Sequence, residues 1–160
     1  MSTSYALLTS LGICAGAAGL EGICAGAEVK SVFAGLKAPA YSPPLWVWYI
    51  IGGLYYGTFF FVLFRILIHG DDSALRNVTL GIIVVMMAAN ALWNYVFFRA
   101  QNLFASVIVT FLAPIMDLGL FVCLTWVDRV AVWTLIPYLI YRLYSLYWAY
   151  GLWKLNGHPA

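Results

Sequence analysis

The chain alternates between five long apolar runs and short polar segments. These runs predict helices over residues 5–27, 44–68, 75–98, 103–126 and 130–153. Each run of about 23 residues can cross a hydrocarbon core of about 30 Å with some tilt. Helices are favoured because lipid offers the backbone no hydrogen-bonding partner, and the alternating pattern of a closed barrel is absent. The pattern therefore predicts an all-α integral membrane protein, built as a bundle of five transmembrane helices.

The connections between the runs are short, and only residues 28–43 form a longer one. We therefore expect sequence neighbours to pack antiparallel in a single membrane domain that covers residues 1–160. The long connection holds Pro39 and Pro43 and meets the second helix at Pro44. Because proline fixes an extended path and is tolerated at a helix start, this segment is predicted to form an ordered lid over one end of the bundle.

Composition supports a lipid environment. Of the 160 residues, 64% are hydrophobic and 9% are charged, whereas soluble domains average about 45–50% apolar and roughly 25% charged residues. The net charge is only +2, and no basic run or nucleic-acid motif occurs. We therefore expect the lipid bilayer as a partner and no nucleic acid.

An odd number of spans places the two termini on opposite sides of the membrane. The basic residues near the N-terminal side are Arg65, Arg76 and Arg129, and those near the C-terminal side are Lys30, Lys37, Arg99 and Lys154. Basic loops tend to remain in the cytoplasm. The count of four against three therefore predicts that the first loop and the C-terminus are cytoplasmic.

Small residues recur along the first predicted helix. Its glycines are Gly12, Gly16, Gly19, Gly22 and Gly26. Such patterns allow the backbones of membrane helices to approach closely. Two interpretations remain open here, a contact inside the bundle or a surface for self-association in a homodimer.

Three ionisable residues, Glu21, Asp117 and Arg142, fall inside apolar runs. Charges at membrane depth are costly and usually face the bundle interior with a partner. Asp117 and Arg142 lie at nearly equal distances from the turn at residues 128–129, so we expect them to form an ion pair near the midplane. That pair either locks the bundle or takes part in ligand contact or proton transfer, whereas Glu21 has no evident partner.

Neither the cysteines nor the histidines indicate a metal site. Cys14, Cys24 and Cys123 lie in apolar runs without metal-ligand spacing. His69 and His158 lie outside the runs. We therefore expect no metal and no cofactor.

Aromatic and polar side chains gather on the same helical faces. Residues three or four apart form two stripes, with Asn90, Trp93 and Phe97 on the third helix, Tyr138, Tyr141 and Trp148 on the fifth, and Trp46 and Trp48 at the same end. Apolar walls with a few convergent polar groups are typical of small-molecule sites. The stripes therefore predict an aromatic cavity open toward the C-terminal side, although an interfacial belt of tryptophans would give the same pattern.

Three segments of the chain resemble one known family. Residues 33–46 (Phe-Ala-Gly-Leu-Lys-Ala-Pro-Ala-Tyr-Ser-Pro-Pro-Leu-Trp) are similar to the first-loop signature of the TspO/translocator family, the tryptophan-rich sensory proteins. Residues 90–98 (Asn-Ala-Leu-Trp-Asn-Tyr-Val-Phe-Phe) resemble that family's Asn-x-x-Trp-x-x-x-Phe-Phe motif. The fifth run supplies Pro137-Tyr138, an aromatic at Tyr141 and the closing Trp153-Lys-Leu-Asn156.

The resemblance implies a five-helix membrane bundle, often dimeric, that binds tetrapyrroles and hydrophobic drug-like ligands under a cytosolic first loop. By family position the site would involve Trp46, Asn90, Trp93, Phe97 and Tyr138, with Tyr41 in the lid. The stripes add Trp48, Tyr141 and Trp148 as ligand-binding candidates.

The chain departs from the family pattern at several positions. In the first loop, Ala38 replaces the family's basic residue before the loop proline, and Tyr41 replaces its lid tryptophan. In the helices, Gly52 replaces a second-helix tryptophan, Met86 replaces a glutamine and Ala149 replaces an asparagine. These departures indicate a divergent member whose ligand is free to differ.

Two function classes follow from these observations. The first is a membrane receptor, sensor or transporter for a hydrophobic, planar or polycyclic molecule, either tetrapyrrole-like or isoprenoid- or sterol-like. The alternative is a small membrane isomerase or cyclase that uses Glu21 or Asp117 as an intramembrane acid on an isoprenoid, with Arg142 beside them. Against the alternative, Arg142 would keep Asp117 ionised and make it a poor proton donor.

Overall fold

The computed structural model describes residues 2–70 and 73–157, and all regular structure there is helical. The elements are α1 (Thr3–Ala25), α2 (Val29–Gly35), α3 (Leu45–His69), α4 (Ala74–Asn94), α5 (Leu103–Val127) and α6 (Arg129–Asn156). A π-helical turn, Tyr95–Arg99, prolongs α4. Residues 71–72, in the connection between the second and third predicted runs, lie outside the described residues, as does His158.

Five of the helices correspond to the five predicted runs, and their ends agree within three residues when the π-helical turn is counted with α4. The sixth, α2, is a correction, because residues 28–43 were predicted as a loop without a helix. The first helix ends at Ala25 because Gly26 takes a positive φ of 73°. Glycine adopts that backbone conformation at little cost, which makes it a common helix terminator.

Polar side chains mark where several helices begin. Ser73, Asn102 and Asp128 precede α4, α5 and α6, and each side-chain oxygen accepts a hydrogen bond from the backbone N–H three residues later. Such caps satisfy N–H groups that have no partner within the helix. The cap residues therefore determine where these three helices begin.

Four helices are long and apolar enough to cross a membrane, namely α1, α3, α4 with its π-helical turn, and α5. The remaining long helix, α6, has 28 residues but is less apolar, because Arg142 and a series of tyrosines interrupt its aliphatic side chains. The described residues therefore form an all-α fold with four candidate spans.

The long helices form a ring in the order α1, α3, α6, α5, α4, which closes again on α1. Helices α3 and α4 are neighbours in sequence, yet each contacts α1 more than it contacts the other. The expectation that sequence neighbours pack against each other is therefore wrong for α3 and α4. The first helix wedges between them and so places its own side chains beside both.

The two ends of this ring are packed differently. Around the α5–α6 turn lies a cluster of fully buried side chains that we call the closed half, formed by Phe59, Val62, Leu63, Ile66, Ile83, Leu120, Leu124 and Leu135. At the opposite end, under residues 36–44, a smaller cluster surrounds Phe97 and Trp148. We call this end the hollow half, because it encloses the cavity described below.

Three glycines of α1, Gly12, Gly16 and Gly19, are exposed on the outside of the bundle, whereas Gly22 belongs to the wall of the cavity described below. An added Cβ would have no neighbour within 4 Å, among the described residues, at Gly12, Gly16, Gly19 or Gly22. The interpretation of these glycines as contacts inside the bundle is therefore wrong for Gly12, Gly16 and Gly19. Only Gly26 meets a neighbour, the side chain of Arg99.

Candidate ligand-binding cavity

A cavity of about 370 Å³ occupies the hollow half. Its wall comes from α1, α2, α3, α4 and α6, and includes Glu21, Phe33, Trp48, Gly52, Tyr55, Tyr56, Asn90, Trp93, Asn94, Phe98, Tyr138, Tyr141, Arg142 and Trp148. Sites for small molecules typically measure about 300–1,000 Å³ and combine apolar walls with a few polar groups. The size and lining of this cavity fit that description.

The segment between α2 and α3, residues 36–44, is fastened to α6. Its hydrogen bonds run from the Tyr144 hydroxyl to the Tyr41 carbonyl (3.0 Å), from the Tyr147 hydroxyl to the Ala40 carbonyl (3.1 Å) and from Trp148 Nε1 to Ser42 Oγ (2.8 Å). Asn156 adds a reciprocal pair with the backbone of Lys37, at 2.9 Å in each direction. This segment is thus ordered, and α6 holds it in place, while its role as a lid stays a prediction.

Aromatic rings form much of the cavity wall. The ring centroids of Trp48 and Trp148 lie 4.5 Å apart, and Tyr141 meets Trp48 edge-on at 6.5 Å. Across the cavity, Trp93 stacks on Phe97 with centroids 4.8 Å apart and planes 11° apart. Trp93 is also fixed by a 2.9 Å hydrogen bond from its Nε1 to Thr110 Oγ1. Rings held in this way offer flat, rigid surfaces to a ligand.

The first polar cluster combines α5 and α6 at the inner end of the cavity. Arg142 Nε donates to Asp117 Oδ2 at 2.8 Å, which confirms the predicted ion pair. The Tyr138 hydroxyl donates to the other Asp117 oxygen at 3.0 Å, and Arg142 donates in turn to that hydroxyl. The charges in this cluster cancel, and the Asp117 side chain is almost completely buried.

The second polar cluster joins α1, α3 and α4 around Glu21. One Glu21 oxygen accepts a hydrogen bond from the Tyr56 hydroxyl at 2.6 Å. The other accepts from Asn94 Nδ2 at 3.0 Å and also from Asn90 Nδ2. The sequence offered no partner for Glu21, and its partners prove to be neutral donors. No ion pair of Glu21 occurs within residues 2–70 and 73–157.

Two polar atoms of the cavity wall have no hydrogen-bond partner in the described part of the chain. They are the indole nitrogen Nε1 of Trp48 and the hydroxyl of Tyr55, and both atoms are buried. A buried polar group without a partner costs about 1–3 kcal/mol. An acceptor on a bound molecule would remove that cost, so both atoms favour a ligand that carries one.

The structure brings together six of the nine predicted ligand-binding residues. The cavity is lined by Trp48, Asn90, Trp93, Tyr138, Tyr141 and Trp148. The placement expected for the other three is corrected. Tyr41, at a positive φ of 62°, is 92% exposed and Trp46 is 63% exposed, whereas Phe97 is buried behind Trp93 and Trp148.

Sequence reasoning missed several residues of the wall. Asn94 lies one turn after Asn90, so helical spacing could have found it. Tyr55 lies two turns after Trp48 on α3 and could have been found in the same way. Phe33 could not, because it lies on the unpredicted helix α2, where it stacks on Trp148 with centroids 6.5 Å apart.

The chain was compared with models of known protein families. A model of the TspO/MBR family matches residues 10–154. The matched range includes every residue of the cavity wall as well as residues 36–44. A comparison with curated proteins gave no match for this chain.

Proposed function

The chain belongs to the TspO/MBR family, and from that premise we propose that it is a receptor, sensor or transporter for a hydrophobic, planar or polycyclic small molecule. Family membership and four apolar helices make it an integral membrane protein. The ligand would lie in the cavity of the hollow half, between α1, α3, α4 and α6. Tetrapyrrole-like and isoprenoid- or sterol-like molecules are the candidate classes.

One observation carries this proposal, the aromatic cavity with two unpartnered donors in its wall. If the cavity were only a gap left by imperfect packing, we would expect its lining to be apolar and the neighbouring side chains to close it. Here Trp48 and Tyr55 instead present buried donors on one face of α3, about two helical turns apart. A ligand with an apolar ring system and a carbonyl or similar acceptor would complement both features.

Filling the cavity tests the proposal. Gly52 lines the cavity and an added Cβ there meets no neighbour within 4 Å, so Gly52→Phe should occupy the space without a backbone clash. We expect this variant to weaken the binding of a metal-free tetrapyrrole or a sterol by about tenfold or more. Gly53→Phe is the matched control, because Gly53 is exposed and equally open but lies outside the wall. Equal effects of the two variants, or no binding by the unmodified protein, would contradict the proposal.

We also propose that α6 is a fifth span and that the first loop and the C-terminus face the cytoplasm. Lys37, Arg129 and Lys154 are all exposed, so cysteines placed there can report membrane sidedness. An impermeant thiol reagent applied to intact cells should reach Arg129→Cys but neither Lys37→Cys nor Lys154→Cys. Labelling at Arg129 and Lys154 from the same side would show that α6 does not cross the membrane.

A homodimer, which the resemblance implies, stays a prediction. The open face of α1 at Gly12, Gly16 and Gly19 is the surface to test, because small residues let membrane helices approach closely. Cysteine crosslinking from Ala15 should then give a dimer band that Gly16→Leu removes.

The enzymatic alternative also stays a prediction. Of its three candidate residues, Glu21 and Arg142 line the cavity and Asp117 does not. Asp117 is instead held by Arg142 and Tyr138, which leaves Glu21 as the candidate acid. Incubation with isoprenoids, followed by analysis for conversion rather than retention, distinguishes an enzyme from a receptor.

A further inference from the structure

The two carboxylates inside the bundle differ in what balances their charge. Asp117 faces the guanidinium of Arg142, so this pair contributes no net charge. Glu21 lines the cavity and is held by Tyr56, Asn90 and Asn94, all of them neutral. The charged groups of the cavity wall are Glu21 and the already paired Arg142. An ionised Glu21 therefore leaves one negative charge in the wall without compensation.

Other basic residues of this end do not supply the missing charge. Arg99 packs against Gly26, more than one turn beyond Glu21 on α1, and is exposed. Lys30 and Lys37 are exposed as well and do not belong to the cavity wall. An ionised Glu21 in a low-dielectric site needs a positive charge beside it. That charge would therefore have to come from the molecule bound in the cavity.

The surroundings of Glu21 suit a cation in a second way. The rings of Tyr55 and Tyr56 lie beside it, with their centroids 5.0 Å apart, and Trp48, Trp93 and Trp148 complete the wall. Aromatic faces attract ammonium groups through the ring quadrupole, and desolvation strengthens the attraction. A carboxylate next to several such faces is the combination that recognises alkylammonium ions.

We propose that the cavity selects a hydrophobic monocation, in which an ammonium group lies beside Glu21 and the apolar ring system packs against the tryptophans. This inference rests on the function proposed above and narrows the class of its ligand. It assigns Glu21 as the residue that determines the charge preference. The Asp117–Arg142 pair forms a neutral inner end that contributes nothing to the choice of charge.

Two isosteric probes test the proposal in the full-length protein reconstituted in lipid nanodiscs. (Naphthylmethyl)trimethylammonium and neopentylnaphthalene have nearly the same shape and differ by one positive charge. Calorimetric titration, corrected with empty nanodiscs, should show that the cation binds at least about tenfold more tightly than the neutral isostere. The naphthylacetate anion should bind more weakly than either probe.

Substitutions at Glu21 then locate the preference. Glu21→Gln keeps the size and the oxygen acceptor but removes the charge, so the cation should lose about tenfold in affinity while the neutral isostere changes less than about twofold. Glu21→Asp keeps the charge and should keep the preference. Glu28→Gln is the matched control, because Glu28 is an exposed carboxylate directly before α2, outside the cavity, and both probes should bind this variant unchanged.

Each outcome decides between the two proposals. If the unmodified protein binds both probes equally, or binds the anion best, the charge inference is overturned and the ligand-binding function stands. The inference is also overturned if Glu21→Gln retains the full preference for the cation. If neither probe nor any tetrapyrrole or sterol binds, the proposed function itself fails. The comparison within the unmodified protein needs no variant, so a misfolded variant cannot obscure the result.

Discussion

The closed and hollow halves are built from the same long helices but pack in opposite ways. In the closed half, Phe59, Leu63 and Ile66 of α3 are completely buried. About three turns earlier on the same helix, Trp48, Gly52 and Tyr55 line a cavity instead. The difference indicates that side-chain size determines which part of the helix is tightly packed, since aliphatic residues fill the interior whereas rings separated by glycine leave a space.

The difference in packing between the closed and hollow halves has an energetic basis. Membrane helices associate mainly through close packing and interhelical hydrogen bonds, because lipid is as apolar as the helix surface. The closed half provides that packing, so the hollow half can retain unpartnered donors and a lone carboxylate. We therefore expect stability to depend mainly on the closed half and ligand binding mainly on the hollow half.

The strongest test concerns the pair at the boundary between the halves. Asp117→Ala should lower the free energy of unfolding by about 3–5 kcal/mol, because it leaves Arg142 charged and unpaired in a buried site. Unfolding in mixed detergent micelles measures the loss. Replacing Arg142 by Met as well should cost less than the sum of the two single substitutions, and additive losses in this double-mutant cycle would mean that the two residues do not interact.

Two leucines on α3 compare the halves directly. Leu63→Ala should destabilise the protein by about 2–5 kcal/mol, because Leu63 is fully buried in the closed half and the substitution leaves a void. Leu45→Ala, at the partly exposed cavity wall, should cost less than about 1 kcal/mol. Equal losses, measured by the same unfolding assay, would show that the hollow half is as important for stability as the closed half.

Binding should show the reverse dependence. Trp93→Ala and Asn90→Ala should each weaken ligand affinity by about tenfold, near 1.4 kcal/mol, since each removes one contact in the cavity wall. Trp126 and Trp133 are the controls, because they lie at the opposite end of the bundle and are 80% and 73% exposed. Tryptophan fluorescence quenching measures the affinities. A larger loss of affinity on substitution of Trp126 or Trp133 would place the binding site in the closed half and contradict the proposed site.

The sequence predicted the helices better than the site, for physical reasons. The length of an apolar run is a property of the local sequence, so the bounds of the long helices were recovered within three residues. The Asp117–Arg142 pair was also predictable, because a tight turn fixes the register of the two helices around it. The wedge of α1 between α3 and α4 was not, because short connections constrain sequence neighbours and not the position of a distant helix.

The same distinction explains the outcome for the cavity residues. Helical phase identified Asn90, Trp93 and Tyr141 because a stripe on one helix is a local property. The side-chain direction of Tyr41 depends on the path of a non-helical segment, which α6 fixes through backbone carbonyls. The partners of Glu21 come from α3 and α4, and could be recognised only after the position of α1 was known.

The smallest expected effect lies at the outer edge of the closed half, in the turn between α5 and α6. Burial alone raises the pKa of Asp128, but the backbone N–H of Ala131 and the guanidinium of Arg65 outweigh it and hold the pKa below its ordinary value. These donors lie at 2.8 Å and 2.7 Å from the carboxylate oxygens. Because the folded-state pKa is lowered, the stabilisation is fully present above the ordinary pKa of about 4 and is lost as the pH falls further.

Unfolding measurements between neutral and acidic pH can isolate this contribution from the other carboxylates. Asp128→Asn removes the titration but keeps an oxygen to cap α6, so the difference in unfolding free energy between the unmodified protein and this variant reports Asp128 alone. We expect that difference to be about 1 kcal/mol or less at neutral pH and to disappear in acid. A difference that stays constant with pH would show that the cap, rather than the charge, secures this end of the closed half.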